Sequence, residues 1–154
     1  MREKKAVISS ISSDDEARQQ AERFQRVREA HQTELAEDYV ELIADLIDAT
    51  GEARVVDLAT RLGVSSATVN NALQRLQRDG LVSTKPYRSI FLTAEGRDMA
   101  VAARERHGLV REFLVSLGVD AATADSDAEG IEHHVSAATL EAFRVHLRRH
   151  KRPR

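Results

Sequence analysis

The sequence contains no cysteine. That absence removes disulfides, thiolate zinc sites, iron–sulfur clusters and a cysteine nucleophile together. Any metal must then be held by oxygen and imidazole donors, which suit harder ions. Only two prolines and seven glycines interrupt the 154 residues, and the long apolar-periodic stretches between them predict a mainly α protein. No apolar run reaches the roughly 18–20 residues of a membrane-spanning helix, and no apolar signal segment follows Met1. The expectation is a soluble, cytoplasmic chain of one domain, or of two small ones sharing a core.

What is present supports a folded protein with a well solvated surface: 42% of residues are hydrophobic and 31% charged. The net charge of −2 argues weakly against nucleic-acid binding, but it hides an asymmetry. Between Arg54 and Leu92 six basic residues (Arg54, Arg61, Arg75, Arg78, Lys85, Arg88) face two acidic ones (Asp57, Asp79), a local balance of +4. The surplus acids lie in the helix before Arg54 and around Asp120–Glu132. A basic module beside an acidic one is more informative than the total.

Along the chain, residues 1–13 are polar and serine-rich without periodicity. A leader over 1–23, flexible or partly helical, is expected. From Asp14 the pattern is helical. Phe24, Val27, His31, Leu35, Tyr39, Leu42, Ile43, Leu46 and Ile47 recur at spacings of three and four, one face of a long amphipathic helix ending at Gly51. Whether that helix is continuous or breaks near Ala30 is open. Val55–Leu62 predicts a short helix stopped by Gly63. Ser65 or Ser66 caps a second, running to about Asp79. Leu81–Thr84 and Ser89–Thr93 are β-prone runs joined by a hairpin. A helix from about Thr93 to Leu117, with a possible break near Gly108, precedes three short helices over Asp120–Ala124, Asp125–His134 and Ser136–His150. Residues 151–154 form a basic tail.

Val55–Val82 has the pattern of a helix-turn-helix followed by a wing. Gly63 permits the tight turn. Leu58, Ala59 and Leu62 are placed to pack against Val64, Val69, Leu73 and Leu76. The second helix would present Ser65, Ser66, Thr68, Asn70, Asn71 and Gln74, short hydrogen-bonding groups suited to base edges and phosphates. Arg75 and Arg78 sit further back, where phosphate contact is expected. Lys85, Tyr87 and Arg88 at the hairpin tip would lie against the DNA backbone or minor groove. The pattern points to double-stranded DNA as partner and is silent on its sequence.

A second set of residues suggests metal chemistry. Asp38 and Glu41 are three apart on the long first helix, and Glu129, Glu132 and His133 stand at i, i+3 and i+4. His107 is placed at the end of the helix after the wing. Each group alone reads equally as a solvated surface, and Glu34, Glu37 and Asp45 beside the first pair read as an acidic stripe.

Taken together, EDYVELI at Glu37–Ile43, the helix-turn-helix, FLTAEG at Phe91–Gly96, RERH at Arg104–His107 and DAEGIEHHVS at Asp127–Ser136 resemble the diphtheria toxin repressor family, above all its manganese-responsive branch, the manganese transport regulators. The resemblance runs from about Phe24 to His150, and AEGIEHH is its most specific part. It implies a winged-helix DNA-binding domain (24–95) followed by an all-helical metal-binding and dimerisation domain (96–150). It also implies a homodimeric, manganese-dependent repressor of manganese uptake genes acting at a palindromic operator. The implied ligands are Asp38, Glu41, His107, Glu129, Glu132 and His133, holding Mn(II), two ions per chain, with Fe(II) or Co(II) as competitors; His134 matches no ligand position. Asp38 stands where the iron-responsive branch places Met, and four carboxylates with two imidazoles make a hard site. The chain is also expected to lack the SH3-like domain that iron-responsive members often carry. Leu109, Val110, Phe113, Leu114 and Leu117 are expected at the dimer interface; an intramolecular core is the other reading, and the two are compatible.

Competing readings are an iron(II)-responsive repressor of the same family and a metal-independent winged-helix regulator answering an organic ligand. A metallohydrolase is disfavoured by the lack of HExxH, a phosphate-binding glycine loop or a nucleophile elbow. No organic cofactor and no membrane partner are expected.

Overall fold

The computed structural model describes residues 13–84 and 89–150. Nine elements follow in order among them: α1 (Ser13–Thr50), α2 (Val55–Leu62), α3 (Ser66–Arg78), β1 (Val82–Thr84), β2 (Ile90–Leu92), α4 (Ala94–Ser116), α5 (Ala121–Ile131), a 3-10 turn (Glu132–His134) and α6 (Ala137–His150). The expected hairpin tip, with Lys85, Tyr87 and Arg88, lies outside the described residues, as do 1–12 and the basic tail at 151–154.

Helix α1 is continuous for 38 residues, with Asp14, Asp15 and Glu16 in its first turn at the positive end of the helix dipole. Its apolar stripe is used unevenly. Tyr39, Val40, Ile43 and Leu46 are buried, whereas Phe24, Val27 and Leu35 are exposed. The N-terminal half of the predicted face therefore projects beyond the core of the chain.

The helix-turn-helix forms as expected, with one difference. Gly63 takes φ 67° at the end of α2, and the backbone N–H of Val64 returns to the Ala59 carbonyl at 3.1 Å. Ser65 is the residue that caps α3, its hydroxyl accepting the Thr68 N–H at 3.1 Å. Leu58, Ala59, Val69, Leu73 and Leu76 are buried between α1, α2 and α3. Val64, expected in that packing, is 38% exposed, because the turn carries it past the contact.

β1 and β2 pair antiparallel, Val82 opposite Leu92 and Thr84 opposite Ile90. Ile90 also donates its N–H to the Ala53 carbonyl at 2.8 Å, fastening the hairpin to the segment after α1. The FLTAEG segment then sets the joint to α4. Thr93 caps α4 through the Gly96 N–H (3.0 Å) and donates its own hydroxyl proton to the Gly80 carbonyl (2.6 Å). Gly96 packs so closely that a Cβ there would fall 2.0 Å from the Leu81 carbonyl oxygen. This joint fixes the direction in which α4 leaves the winged unit.

Two sequence expectations change in the C-terminal half. Helix α4 runs through Gly108 without a break, so His107 is mid-helix and does not end it. The separate helices expected over Asp120–Ala124 and Asp125–His134 are one helix, α5, capped by Asp120 and followed by the 3-10 turn. The apolar residues expected at a dimer interface also make contacts within the chain. Val110 is fully buried with Ala128 and Leu140, Leu109 and Leu114 pack on that cluster, and Phe113 stacks on Phe143 with ring centroids 3.8 Å apart. Leu117 stays exposed, as does neighbouring Val115.

Candidate metal centre and DNA-reading face

The long reach of α1 and α4 brings the distant polar segments together. α4 packs along α1 on one side and along α5 and α6 on another. RERH is the seam. Arg104 pairs with Asp45 and, at 3.3 Å, with Asp48 of α1. Arg106 Nη2 lies 2.6 Å from Glu37 Oε1, and His107 faces the other way, toward α5. Two arginines thus hold α4 against α1 while the histidine reaches the carboxylates of α5.

At the centre is Glu132, buried to 2% exposure. Its Oε1 lies 3.3 Å from His133 Nε2 and its Oε2 3.4 Å from His107 Nδ1. His133 Nε2 is also 3.2 Å from Asp38 Oδ1, and His107 Nδ1 is 3.6 Å from Glu129 Oε1. Asp38, His133 and Glu132 therefore form one group, and His107, Glu129 and Glu132 a second, sharing Glu132. Glu41 interacts electrostatically with His107 and Glu129 from the adjacent turn of α1. All six predicted ligands converge on one region.

The second nitrogen of each imidazole is held by another carboxylate. His133 Nδ1 is 2.6 Å from Glu37 Oε2, and His107 Nε2 is 3.2 Å from Asp125 Oδ1, which Arg111 also contacts at 3.1 Å. A carboxylate on the far nitrogen favours a proton there and directs the other nitrogen's lone pair inward, the usual arrangement behind a metal-binding histidine. The sequence missed both partners. In sequence Glu37 reads as part of a solvated acidic stripe, yet it is 7% exposed. Only its phase on α1, one residue before Asp38, could have hinted at this.

The electrostatics fit a cation. Burial raises the Glu132 carboxyl from 4.5 to about 7; His133 and His107 oppose this, while Glu41 and Glu129 add to it. Burial likewise raises Asp38, and Glu41 is raised by burial and then by Glu129. His133 is raised too: burial works against its charged form but is outweighed by the Glu37 hydrogen bond, Asp38 and Glu132. Glu132 Oε2 is buried with no hydrogen-bond partner, an expensive position for a carboxylate oxygen. Crowded carboxylates, inward-facing imidazoles and an orphaned buried oxygen are the donor set that a hard divalent ion satisfies.

In the winged unit, Ser66, Thr68, Asn70, Asn71 and Gln74 are exposed along α3. Ser65 is exposed as well, with its hydroxyl engaged in the cap and 3.0 Å from that of Thr68. Arg75 and Arg78, exposed near the end of α3, line a groove against α1 with Tyr39 and Asp79.

A helix-turn-helix whose supporting helix also carries two of the six residues of a carboxylate–imidazole cluster defines a class: DNA-binding regulators that respond to a metal. Residues 31–90 match the family described as iron dependent repressor, N-terminal DNA binding domain. Residues 93–152 match the iron dependent repressor metal binding and dimerisation domain. The chain belongs to this family, the diphtheria toxin repressor family, and to its branch of manganese transport regulators.

It is 56% identical over 129 residues to the transcriptional regulator MntR of Escherichia coli O6:H1, a match covering 84% of this chain and 83% of that protein. It is 41% identical to the HTH-type transcriptional regulator MntR of Listeria welshimeri, over 68% of this chain and 74% of that one. Among solved structures it resembles a manganese-dependent transcriptional repressor in complex with manganese, with TM-score 0.65 and 32% identity over 73% of this chain. It also resembles the manganese regulator SloR, with TM-score 0.64 and 26% identity over 73% of this chain. The match spans about half of those structures, 52% and 53% respectively. Among the described residues no helix is long and apolar enough to cross a membrane.

Proposed function

We propose that this chain is a Mn(II)-dependent DNA-binding transcriptional repressor that acts as a homodimer on a palindromic operator controlling manganese uptake, in the cytoplasm. The single observation that carries this reading is Glu132, a buried carboxylate shared between two imidazole–carboxylate groups at the junction of a DNA-binding unit (24–95) and a helical unit (96–150). Asp38, Glu132 and His133 would hold one ion, and Glu41, His107, Glu129 and Glu132 a second. Bound ions would supply the positive charge that draws the carboxylates of α1, α5 and the 3-10 turn and the His107 imidazole of α4 into one arrangement.

The chain's own residues define what that rigidity does. Asp38 and Glu41 belong to the helix that supports α3, so fixing them relative to α5 fixes the recognition helix relative to the rest of the dimer. A dimer reads two half-sites only when its two recognition helices are spaced by about one helical turn of DNA, roughly 34–36 Å. Metal and DNA are then linked: each tightens the other by the same factor. Charge acts in the same direction, since a chain formally at −2 becomes net positive once two divalent cations are held. Manganese is favoured over iron by the all-oxygen-and-imidazole donor set, with Asp38 in place of a sulfur donor.

The test is operator binding by gel shift across Mn(II), Fe(II), Co(II) and chelator. Binding should require metal and be lost in Glu132→Ala and His133→Ala proteins that remain folded by circular dichroism. Chelator-resistant binding would mean a metal-independent regulator, and a response to Fe(II) alone would mean the iron branch.

A further inference from the structure

Helix α1 carries a longer ladder of donors than the metal centre uses. His31, Glu34, Asp38 and Glu41 stand three, four and three residues apart, so they follow one another up a single helix face. Asp38 and Glu41 serve the centre described above. One turn toward the N-terminus, His31 and Glu34 meet a different residue, His134.

The 3-10 turn places it there. Its three residues per turn send successive side chains about 120° apart, so His133 enters the buried centre while His134 emerges beside the preceding turn of α1. His134 Nε2 lies 3.2 Å from Glu34 Oε2. The His31 and His134 rings meet edge to face with centroids 5.6 Å apart. One donor atom from each of His31, Glu34 and His134 lies within 4.8 Å of the other two. Donors around a four-coordinate ion stand roughly 3.4 Å apart; Glu34 and His134 already meet that spacing, and rotation of the exposed His31 side chain brings in the third.

We propose that His31, Glu34 and His134 form an additional, outer divalent-metal site, distinct from the six-residue centre. Its donor set differs in kind. Two imidazoles and one carboxylate favour a late first-row ion, Zn(II) or Co(II), over Mn(II). Three protein ligands with an open side leave the remaining position to water. An ion there ties α1 to the 3-10 turn a second time, one helical turn beyond the manganese ligands.

The experiment uses the full-length protein and zinc itself. Bound Zn(II) is counted after equilibrium dialysis at fixed free Zn(II) for wild type, His31→Asn/His134→Asn and Glu34→Gln. The double variant should hold about one zinc ion per chain fewer than wild type, while Mn(II)-dependent operator binding is unchanged in both proteins. With Co(II), the His31 and His134 ring protons should show paramagnetic shifts in wild type that Glu34→Gln weakens. Equal zinc content in wild type and both variants, with no shifted His31 or His134 protons, would reduce the cluster to a plain ion pair and overturn the proposal. Should the double variant lose its manganese response, Glu34→Gln decides alone. Failure of the manganese reading would show in Glu132→Gln, which shares no residue with these variants.

Discussion

Replacing Glu132 by Gln should make the chelator-treated protein more stable while destroying its response to manganese. In the folded chain, burial raises this carboxyl from 4.5 to about 7, so folded protein binds more protons than unfolded protein between those values. Stability therefore falls as pH rises through that window. Above pH 7 the ionised group costs about 3 kcal/mol relative to an unburied carboxyl. Asp38, Glu41 and His133 are also raised, and each adds a slope of the same sign, that of His133 lying above 6.5. A glutamine keeps the shape and needs no ionisation, so at pH 8 the variant should gain about 1–3 kcal/mol. For a chain of this size that raises Tm by roughly 3–10 °C.

Manganese reverses the order. Ligands must be deprotonated to bind it, so its contribution grows with pH; an ion at a hundred times its Kd adds about 2.7 kcal/mol to wild type alone. The assay is thermal unfolding followed by circular dichroism at pH 5 and pH 8, with EDTA or with Mn(II). The expected result is a variant more stable than wild type at pH 8 in EDTA, a smaller difference at pH 5, and a Tm rise with Mn(II) far smaller than that of wild type. A variant less stable than wild type in EDTA at both pH values would refute the reasoning, because Glu132 would then be a structural carboxylate.

Glu37→Gln should leave the fold intact and weaken Mn(II) binding by roughly 10–100-fold, the usual cost of losing the partner that orients a metal-binding histidine; calorimetric titration measures it. Gly96→Ala should destabilise the protein by about 1–3 kcal/mol or more, since its Cβ meets the rigid Leu81 carbonyl 2.0 Å away, and urea unfolding checks it. Asn71→Ala on the exposed face of α3 should weaken operator binding by about 1–3 kcal/mol while leaving non-specific DNA affinity and its salt dependence unchanged.

The winged unit was legible because its signals are local. Gly63, the Ser65 cap and the alternation of Val69, Ala72, Leu73 and Leu76 with polar residues each act within one helix or one turn, and each constrains the backbone wherever the chain is found. The errors came where an element's neighbours decide the outcome. Val64 obeys the helix-turn-helix pattern but falls just beyond the contact. Phe24, Val27 and Leu35 continue the stripe of Tyr39 and Ile43 in phase and still lie exposed, because among the described residues no buried cluster extends to that end of α1.

The metal centre shows the same division in sharper form. Residue types and helical phase put Asp38 and Glu41 on one face and Glu129, Glu132 and His133 on another, but no local rule joins faces separated by some ninety residues. The joint is made by Arg104 and Arg106, whose pairing with Asp45, Asp48 and Glu37 presses α4 against α1. In sequence, Glu37 and Asp45 read with Glu34 as one solvated stripe. In the folded chain the stripe divides by what each turn of α1 meets: Asp45 and Asp48 meet an arginine at the surface, Glu37 a buried histidine and an arginine, and Glu34 the exposed His134. One sequence pattern thus serves three kinds of contact. Burial is what separates them: a carboxylate beside a buried imidazole must be neutralised, and a carboxylate beside a solvated one need not be.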